Sequence, residues 1–441
     1  MPSKNPPERL PAAKIAYIVS RFPALTETFV LYELAAMERL GVAVELYPLL
    51  RQHPKVTHPE ARTWITRAHY LPFLSMPILR AQWHFIRCDP RAYVKVWAEV
   101  LRGTWGSVNY FFGAIAIFPK AVQFAFDMKC RGVDHIHAHF SNHPAVAAFI
   151  IHRLTAIPFT FTAHGTDLHV DRHMLKEKVE AAASVVTVTS YNKQILIDEC
   201  GPGASAKIHV IHGGVDVARL TPAPHRQPRD PFRILCVARF EEVKGHTYLV
   251  EACRLLRDEG VSFECRLIGD GPLLPEIRRQ IKQTALSSQI RLDGARTYQE
   301  VVQELSRTDV LVLPTAPTAS GQREGSPTVL KEAMACGLPV VASRVGGIPE
   351  IVDDQSTGLL TPARNAVALA AALRRLSEDP DLRRRLGRAG REKAVKEFNL
   401  AVNTAKRAEL FLTNTTTGQP ILGPPRRQQQ VAESAAQQAA A

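Results

Sequence analysis

The sequence predicts an α/β protein built from two doubly wound, Rossmann-like domains that face a cleft. Three observations lead to this prediction. The chain has 441 residues, enough for two to four domains at roughly 100 to 200 residues each. Short apolar, β-branched segments alternate with helical stretches, which is typical of parallel sheets with crossover helices. A proline-rich segment, TPAPHRQPRDP at 221–231, separates these strands into two groups and is typical of an interdomain linker.

The predicted strands follow one another along the chain. Two are KIAYIVS from residue 14 and HVIHGG from residue 209, before the linker. Four follow it: RILCVARF from 233, ECRLIGDG from 264, VLVLPT from 310 and PVVAS from 339. Ligands of doubly wound sheets bind beyond the carboxyl ends of the strands, so the loops there are the candidate sites. The nearest approach to G-x-G-x-x-G, at 269–271, lacks the third glycine, which argues against a nicotinamide dehydrogenase.

The composition is that of an ordinary globular chain, with 46% hydrophobic and 22% charged residues, and it disfavours collagen, coiled coil and global disorder. Seven scattered cysteines without a C-x-x-C pair argue against zinc ribbons and suit a reducing compartment. The start, MPSKNPPERLPAAK, lacks the apolar core of a signal peptide. The uncharged run 103–119 is too short and too interrupted to span a bilayer. We therefore expect a cytoplasmic protein.

The net charge of +13 is unevenly distributed. Residues 51–131 hold 12 Lys or Arg against 4 Asp or Glu, and residues 364–441 hold 14 against 7. A basic surface can bind nucleic acid, anionic lipid or a phosphorylated substrate. The 51–131 segment interleaves its charge with aromatic residues, as helices at a membrane interface do. They are Trp64, Trp83, Phe85, Trp97, Trp105, Tyr110, Phe111 and Phe112. We expect contact with an anionic membrane surface and none with nucleic acid; the alternative is a helical insertion with its own aromatic core.

The segment EGSPTVLKEAMACGLPVV at 324–341 predicts a short helix with marked ends. Ser326 is expected to cap the helix, Pro327 to begin it and Gly337 to end it. At 100° per residue, Glu332 points roughly 130° away from the centre of the apolar stripe, so it is expected to face outward beside the loop carrying Glu324. Taken alone, both carboxylates would be solvated acids at a helix start.

Two cations lie at the end of another predicted strand. ARFEEVKG places Arg239 and Lys244 in the loop after residues 233–237. Loop cations are usually just solvated, but these lie where a doubly wound sheet binds its ligand. Together with the amino terminus of a helix, two cations indicate a phosphate or diphosphate site. The sequence therefore predicts a nucleotide site.

These motifs resemble those of the retaining family 4 glycosyltransferases of the GT-B fold. The carboxyl half contains ARFEEVKG, IGDGP at 268–272, the E-x7-E pair Glu324 and Glu332, and GGIPEIV at 346–352. The amino half contains SRFPALTETFV at 20–30, HIHAHF at 135–140 and FTFTAHGTD at 159–167, a set similar to bacterial enzymes of exopolysaccharide and colanic-acid-type assembly. E-x7-E alone is weakly specific, but the resemblance covers roughly residues 14–412 with several motifs in order.

The resemblance implies a role for each matching residue. Four positions are expected to be catalytic: Arg239 and Lys244 on the donor diphosphate, Glu324 on the transferred sugar, and His164 reaching the sugar from the opposite domain. The other donor-binding residues are expected to be Gly269, Asp270, Gly271, Pro272, Gly294, Gly325, Ser326, Pro327, Thr328 and Glu332. Among these, residues 269–272 and Gly294 line the base and Glu332 binds the ribose hydroxyls. Pro327 has no N–H, so neighbouring amides such as that of Thr328 would serve the phosphate. The acceptor side is expected to hold Glu27, Thr28 and His139.

The implied chemistry needs no cofactor and no metal. Breaking the anomeric bond places charge on the departing diphosphate, which preorganised cations stabilise. Retention then fits attack on the same face, with the leaving phosphate oxygen taking the acceptor proton. His135, His137 and His139 face one way in a strand and could bind a metal as in amidohydrolases, but a metal-hydrolase barrel needs further ligands on other strands, and the sequence has no repeating eightfold pattern. Asp379-Pro380-Asp381 matches the metal-binding D-x-D, but is better explained as a helix cap.

We place a flexible N-terminus at 1–13, an acceptor-binding Rossmann-like domain at 14–222 with a basic aromatic helical insertion at about 51–131, and a linker at 223–231. A nucleotide-sugar-binding domain follows at 232–391, then a helix at 392–412 that packs back on the first domain and a disordered tail at 413–441.

The expected activity is transfer of a hexose from a nucleotide diphosphate sugar to a growing, lipid-linked glycan of exopolysaccharide or another cell-surface polysaccharide. The enzyme is expected to be peripheral, at the inner face of the cell membrane. Two alternatives remain, a non-hydrolysing nucleotide-sugar epimerase on the same fold and a catalytically silent nucleotide-sugar binder. The sequence leaves the nucleotide, the sugar and the acceptor open.

Overall fold

The computed structural model describes residues 13–23, 28–53, 60–73, 75–223 and 230–415. It contains two parallel six-stranded sheets, which confirm the predicted fold class, and all six predicted strands are present. The first sheet has the order β2-β1-β3-β4-β5-β6, with β1 (Lys14–Phe22), β2 (Ala43–Arg51), β3 (His135–His139), β4 (Phe159–Ala163), β5 (Ser184–Thr187) and β6 (Ile208–Val210). The second has the order β12-β11-β10-β7-β8-β9, with β7 (Phe232–Val237), β8 (Phe263–Ile268), β9 (Ile290–Gly294), β10 (Val310–Leu313), β11 (Val340–Ser343) and β12 (Leu359–Thr361).

Helices cover both faces of each sheet, which is why the central strands are buried along their whole length. The first domain contains α1 (Thr28–Arg39), α2 (Ala61–Arg67), α3 (Met76–Cys88), α4 (Pro90–Thr104), α5 (Val108–Arg131), α6 (His143–Thr155), α7 (Thr166–His169), α8 (Leu175–Ala181) and α9 (Ser190–Cys200). The rest of the chain contains α10 (His246–Asp258), α11 (Leu274–Gln283), α12 (Tyr298–Arg307), α13 (Thr328–Ala335), α14 (Ile348–Ile351), α15 (Ala366–Glu378), α16 (Pro380–Glu397) and α17 (Leu400–Thr413).

Side-chain caps account for several helix starts. Thr297 and Glu300 form a complete capping box at the start of α12. Asp379 accepts a hydrogen bond from the amide of Leu382 at 2.8 Å and so caps α16, with Pro380 as the first helical residue. The D-x-D match is therefore a helix cap, as the sequence indicated.

The segment between β2 and β3 is helical, and its aromatic residues divide between core and surface. Trp97 stacks on the buried Phe118 with ring centroids 3.7 Å apart, whereas Trp83 and Trp105 are exposed. The charged and aromatic residues thus serve both an internal core and a solvent-facing surface.

The uncharged run 103–119 is interrupted at Gly106 and Ser107, between α4 and α5, but the interruption expected at Asn109 and Gly113 is wrong, because α5 continues through both for 24 residues. At Gly113 the ring of His143 on α6 lies close to the helix, since a Cβ there would lie 1.9 Å from its Nε2. Among the described residues, α5 is the single helix long and apolar enough to cross a membrane, but half of that window is buried inside the protein. It packs against α3, α4 and α6 as a core helix does.

The chain crosses from the second domain back to the first near its end. The helix expected at 392–412 is in fact the end of α16 followed by α17, with a break at Phe398 and Asn399. At this break Val215 donates its amide to the carbonyl of Phe398, and Leu400 donates to the carbonyl of Val215. Helix α17 then packs on α1 and on β3 of the first sheet.

The expected boundaries at both ends need adjustment. The tail was expected to begin at 413, but Asn414 donates to Ser184 Oγ at 3.3 Å and Thr415 is buried. At the other end, Ala13 is buried, and its carbonyl accepts a hydrogen bond from the amide of Ala43. Residues 1–12, 224–229 and 416–441, which hold the rest of the predicted termini and most of the predicted linker, lie outside the described residues. The first domain ends before the expected residue 222, because Val215, Val217 and Leu220 pack in one core cluster with β7, β10 and α13 of the second domain.

Candidate active site

The loop after β7 brings Lys244 to the cleft between the domains. Lys244 ends a short 3₁₀ turn and is followed by Gly245, where an added Cβ would lie 1.9 Å from the carbonyl oxygen of Pro314. Its Nζ donates a hydrogen bond to the carboxylate of Glu324, and the two side chains are only 20% and 12% exposed. The structure therefore joins two of the predicted catalytic residues, which are 80 positions apart in sequence, as a partly buried ion pair.

Arg239 lies in the same loop but remains open to solvent. Its side chain is 53% exposed and forms an ion pair at 3.0 Å with Glu241. Arg239 does not share the carboxylate of Lys244, so its guanidinium keeps donors free for a ligand. The two cations thus differ: Lys244 is partly buried and paired with a carboxylate of a neighbouring loop in the same domain, whereas Arg239 is exposed and paired with Glu241 in its own loop.

The glycines expected to line the base pack their backbone against this loop. A Cβ added to Gly269 would lie 2.0 Å from the carbonyl oxygen of Ala238, and a Cβ added to Gly271 would lie 2.6 Å from the carbonyl oxygen of Phe240. The amide of Phe240 donates to the carbonyl of Asp270, and the amide of Gly269 to the carbonyl of Gly294. Residues 269–271 therefore border the loop of Arg239, and Gly294 is hydrogen-bonded to Gly269. Asp270 and Pro272 are exposed beside this loop.

The backbones of the two domains are in close contact at Gly325. A Cβ there would lie 2.3 Å from the carbonyl oxygen of His164 in the first domain, so only glycine fits. On the other side of the same loop, a Cβ on Gly346 would lie 2.1 Å from the carbonyl oxygen of Glu324. The loop of Glu324 is thus held between two backbones, one of them that of His164 in the first domain.

The start of α13 differs from the prediction. The capping position is Pro327, without a side-chain cap, and Thr328 is the first helical residue. The Ser326 hydroxyl instead accepts a hydrogen bond from Lys331 Nζ at 3.2 Å, and Lys331 also donates to the carbonyl of Gly213 at 2.9 Å. Ser326 is therefore hydrogen-bonded to a buried lysine and does not cap the helix, so the amide of Thr328 does not have the side-chain hydrogen bond that the sequence predicted.

The expectation that Glu332 faces outward is wrong, because its side chain is buried, with the residue 8% exposed. The helical wheel places it off the apolar stripe of α13, but other elements cover that face. Tyr32 of α1 and Tyr298 of α12 pack together there with ring centroids 5.2 Å apart, and burial and then the charge of Glu332 raise the pKa of Tyr298. Burial raises the pKa of Glu332 to about 7, and Lys331 opposes this shift.

His164 is backed by a buried histidine. Its Nε2 lies 3.1 Å from Nδ1 of His139, whose Nε2 lies 3.6 Å from Oε1 of Glu33. His139 is fully buried, so it does not line an open cleft as expected; it lies behind His164, which is the partly exposed member. Burial and then the neighbouring His139 lower the pKa of His164 well below its ordinary value, so His164 is neutral at pH 7.

Glu33 anchors this chain of contacts. Tyr17 donates to Oε1 at 3.2 Å, and Nε of Arg407 on α17 lies 3.6 Å from Oε2. Burial raises the pKa of Glu33, but Arg407 and then His139 overcome this effect and leave it well below its ordinary value. An ionised Glu33 favours the proton of His139 on Nε2, which leaves Nδ1 to accept a hydrogen bond from Nε2 of His164. The remaining Nδ1 of His164 is then a hydrogen-bond acceptor.

The histidine strand was considered as a metal site, and one group has suitable spacing. Glu33, His137 and His139 offer ligand atoms that all lie within 4.8 Å of one another. However, both ring nitrogens of His137 are hydrogen-bonded, to Thr160 Oγ1 at 2.8 Å and Thr162 Oγ1 at 3.0 Å. Glu33 already faces a guanidinium. His137 and Glu33 are thus already engaged by other groups, which argues against a metal ion at this position.

Sequence reasoning missed the residue that shapes the loop of His164. Asp167 accepts hydrogen bonds from the amides of His164 at 3.0 Å, Gly165 at 2.9 Å and Ser141 at 2.5 Å. It therefore ties the loops after β3 and β4 together. Its position three residues after His164 was a usable signal, whereas Glu33, Arg407 and Lys331 carried none. Thr28 is the first residue of α1, and Glu27 lies outside the described residues.

The protein has two doubly wound domains separated by a cleft. A lysine, a glutamate and closely packed glycines lie on one side of the cleft, and a histidine lies on the other. This arrangement is that of a glycosyltransferase of the GT-B fold. Family models agree: the model described as "Glycosyl transferases group 1" matches residues 219–393, and "Glycosyltransferase Family 4" matches residues 102–219. The chain belongs to the family 4, group 1 glycosyltransferases, and its activity is glycosyl transfer.

Relatives cover nearly the whole chain. It is 38% identical to WcaL of Salmonella typhimurium over 91% of this chain and 100% of WcaL, and 30% identical to WcaL of Escherichia coli over 90% and 99%. Both are named as glycosyltransferases of colanic acid biosynthesis. AmsK of Erwinia amylovora, named for amylovoran biosynthesis, is 37% identical over 46% of this chain and 50% of AmsK.

Solved structures share the fold. A glycosyltransferase from Rickettsia africae matches with a TM-score of 0.68 and 18% identity, over 91% of this chain and 98% of that one. HepE of Anabaena, in complex with UDP, matches with a TM-score of 0.66 and 17% identity, over 91% and 100%. These likenesses confirm the predicted GT-B architecture.

Proposed function

We propose that the protein transfers a hexose from a nucleotide diphosphate sugar to a growing, lipid-linked glycan, with retention of the anomeric configuration. The observation that carries the proposal is the Lys244–Glu324 ion pair beside Gly325, where the loop of Glu324 contacts the first domain. Without a donor the two charges satisfy each other. A donor diphosphate and its sugar offer each of them a better partner, because the phosphate takes the cation and the sugar hydroxyls take the carboxylate.

The departing diphosphate is stabilised by residues of this chain. Lys244 is preorganised by its partner, and Arg239 reaches over from the rim with free guanidinium donors. Fixed cations at the leaving group lower the barrier because they interact more strongly with the charge that develops in the transition state. In this proposal they replace a metal ion, and the reaction needs neither metal nor cofactor.

The sugar lies between the domains. Glu324 holds its hydroxyls, neutral His164 offers an acceptor from the opposite side, and Glu332 accepts hydrogen bonds from the ribose. Attack on the same face, with the leaving phosphate oxygen taking the acceptor proton, gives retention without a protein nucleophile.

The polysaccharide context is supported by relatives. WcaL and AmsK are named for colanic acid and amylovoran biosynthesis, both exopolysaccharides, so we place this enzyme in exopolysaccharide or other cell-surface polysaccharide assembly. A lipid-linked acceptor, which is part of this proposal, would place the enzyme at the inner face of the cell membrane as a peripheral protein. HepE has been crystallised with UDP and with UDP-glucose, so UDP-sugars are the first donors to test.

The test is a screen of UDP- and GDP-hexoses by calorimetry, followed by turnover of the best binder with a lipid-linked acceptor and NMR of the anomeric proton. Glu324→Gln should lose turnover, and Glu276→Gln, on the exposed side of α11, is the matched control. Transfer with retention supports the proposal. An epimerised donor formed without acceptor would show an epimerase, and binding without any product would show a silent binder.

A further inference from the structure

The most unusual surface of the protein is one face of α3. Of the 15 large apolar side chains that are exposed in the described part of the chain, 10 lie between residues 73 and 115. On α3 they are Met76, Leu79, Trp83 and Ile86, between 40% and 63% exposed. Exposed apolar side chains scattered singly need no explanation, but this concentration in one segment does.

The spacing puts these four side chains on one stripe. Positions 76, 79, 83 and 86 differ by three or four residues, so at 100° per residue they share one face of the helix. The opposite face holds Ile78, Ala81 and Phe85, which are buried in the core of the first domain. Helix α3 is therefore apolar on both sides, and only one side is used in folding.

Charge accompanies the exposed stripe. Arg80 and Arg87 lie beside the stripe, about 60° and 40° around the helix from Trp83 at 100° per residue. The guanidinium of Arg87 lies 5.8 Å from the ring centroid of Trp83. In the parts of the chain that the structure describes, neither arginine forms an ion pair with a carboxylate. An apolar stripe flanked by unpaired guanidinium groups matches a lipid surface that has anionic headgroups above acyl chains.

We propose that the α3 surface, defined as Met76, Leu79, Arg80, Trp83, Ile86 and Arg87, binds the enzyme to anionic membranes. The inference deepens the proposed function and rests on it for its purpose, because it brings the active site to a lipid-linked acceptor. The apolar side chains enter the interface and the arginines contact phosphate headgroups. The net charge of +8 over residues 51–131, from 12 basic and 4 acidic residues, adds longer-range attraction.

The experiment is co-sedimentation of the full chain with vesicles of phosphatidylglycerol and phosphatidylcholine, or of phosphatidylcholine alone, over a salt series. Binding is expected on the anionic vesicles and should weaken as salt rises, because exposed charges are screened within about 8 Å at physiological ionic strength. Arg80→Gln/Arg87→Gln should lower the partition coefficient roughly 30-fold, about fivefold for each arginine. Leu79→Ser/Trp83→Ser should lower it on both vesicle types.

The matched control is Val367→Ser/Val395→Ser, which removes two exposed apolar side chains of the second domain and should not change partitioning. Thermal denaturation verifies that each variant is folded, and donor binding by calorimetry should be equal in all of them. Protein that stays in the supernatant with both vesicle types overturns the inference, as does equal binding of the α3 variants. If calorimetry detects no donor binding by the unaltered protein, that result would instead count against the proposed function.

Discussion

Replacing Glu33 with glutamine tests the buried contacts behind His164. Glu33 is 4% and Arg407 2% exposed, so Glu33→Gln leaves a guanidinium in the core without its counter-charge. Breaking a buried ion pair in this way costs about 3 to 5 kcal/mol. We expect the lower end of this range, because the two charges are 3.6 Å apart and Arg407 keeps hydrogen bonds to the carbonyls of Ile211 and His212.

The assay is urea denaturation in a double-mutant cycle with Arg407→Met. The double variant removes both charges, so it should be more stable than the sum of the single losses predicts by at least about 1 kcal/mol. Additive losses would refute the idea that Glu33 and Arg407 stabilise each other. The pH dependence provides a second measurement. Because its folded pKa is lowered, Glu33 contributes stability above its ordinary value of 4.5 and loses it as pH falls below that value, and Glu33→Gln should lack this acid loss.

The same variant tests the proposed orientation of His164. With Glu33 neutralised, His139 loses the preference for a proton on Nε2, and the tautomer of His164 is no longer fixed. ¹⁵N NMR of the imidazoles should show one tautomer of His164 in the unaltered protein and a mixture in Glu33→Gln. A single unchanged tautomer in both proteins would reduce Glu33 to a structural role.

Three further results are expected. Activity should persist in a chelator, because the proposed site uses cations of the chain; loss with EDTA and recovery with manganese would contradict this. Arg239→Ala and Lys244→Ala should each raise the barrier by about 2 to 4 kcal/mol, read as kcat/KM, and unchanged turnover would remove that residue from the site. Since the pKa of Glu332 is raised to about 7, donor affinity measured by calorimetry should increase as pH rises through 7. Glu332→Gln should flatten this profile, and Lys331→Met should shift it to higher pH, because Lys331 lowers the pKa of Glu332. A flat profile in the unaltered protein would argue against ribose binding by Glu332.

Local patterns in the sequence were sufficient for the fold. Strands were predicted from β-branched segments, and the Asp379 cap from a single residue before proline, because the forces that form them act between near neighbours. The prediction that Gly113 interrupts a helix is wrong, because α5 continues through this residue. The reason is tertiary: the ring of His143, from another helix, packs against the helix at Gly113. Close packing of this kind leaves no periodic signal in the sequence.

The site was predictable only where motifs are contiguous. Lys244 and Glu324 were identified from separate motifs, but their ion pair was not, because it joins two loops. The burial of Glu332 depends on Tyr32, which lies 300 positions away on the other domain, so a helical wheel of α13 alone places the side chain in solvent. His139 was assigned to the cleft for the same reason, since nothing near it in sequence indicates Glu33.

The double crossing between the domains has a mechanical consequence. The chain passes from one domain to the other near Val215 and returns at Asn399, where the two passages are hydrogen-bonded side by side. A single connection would allow one domain to rotate about several axes relative to the other. Two adjacent, hydrogen-bonded connections restrict this motion and favour rotation about one hinge axis. Opening of the cleft would then separate Gly325 from His164 along a fixed arc and return them to the same contact, which preserves the alignment of donor and acceptor from one turnover to the next.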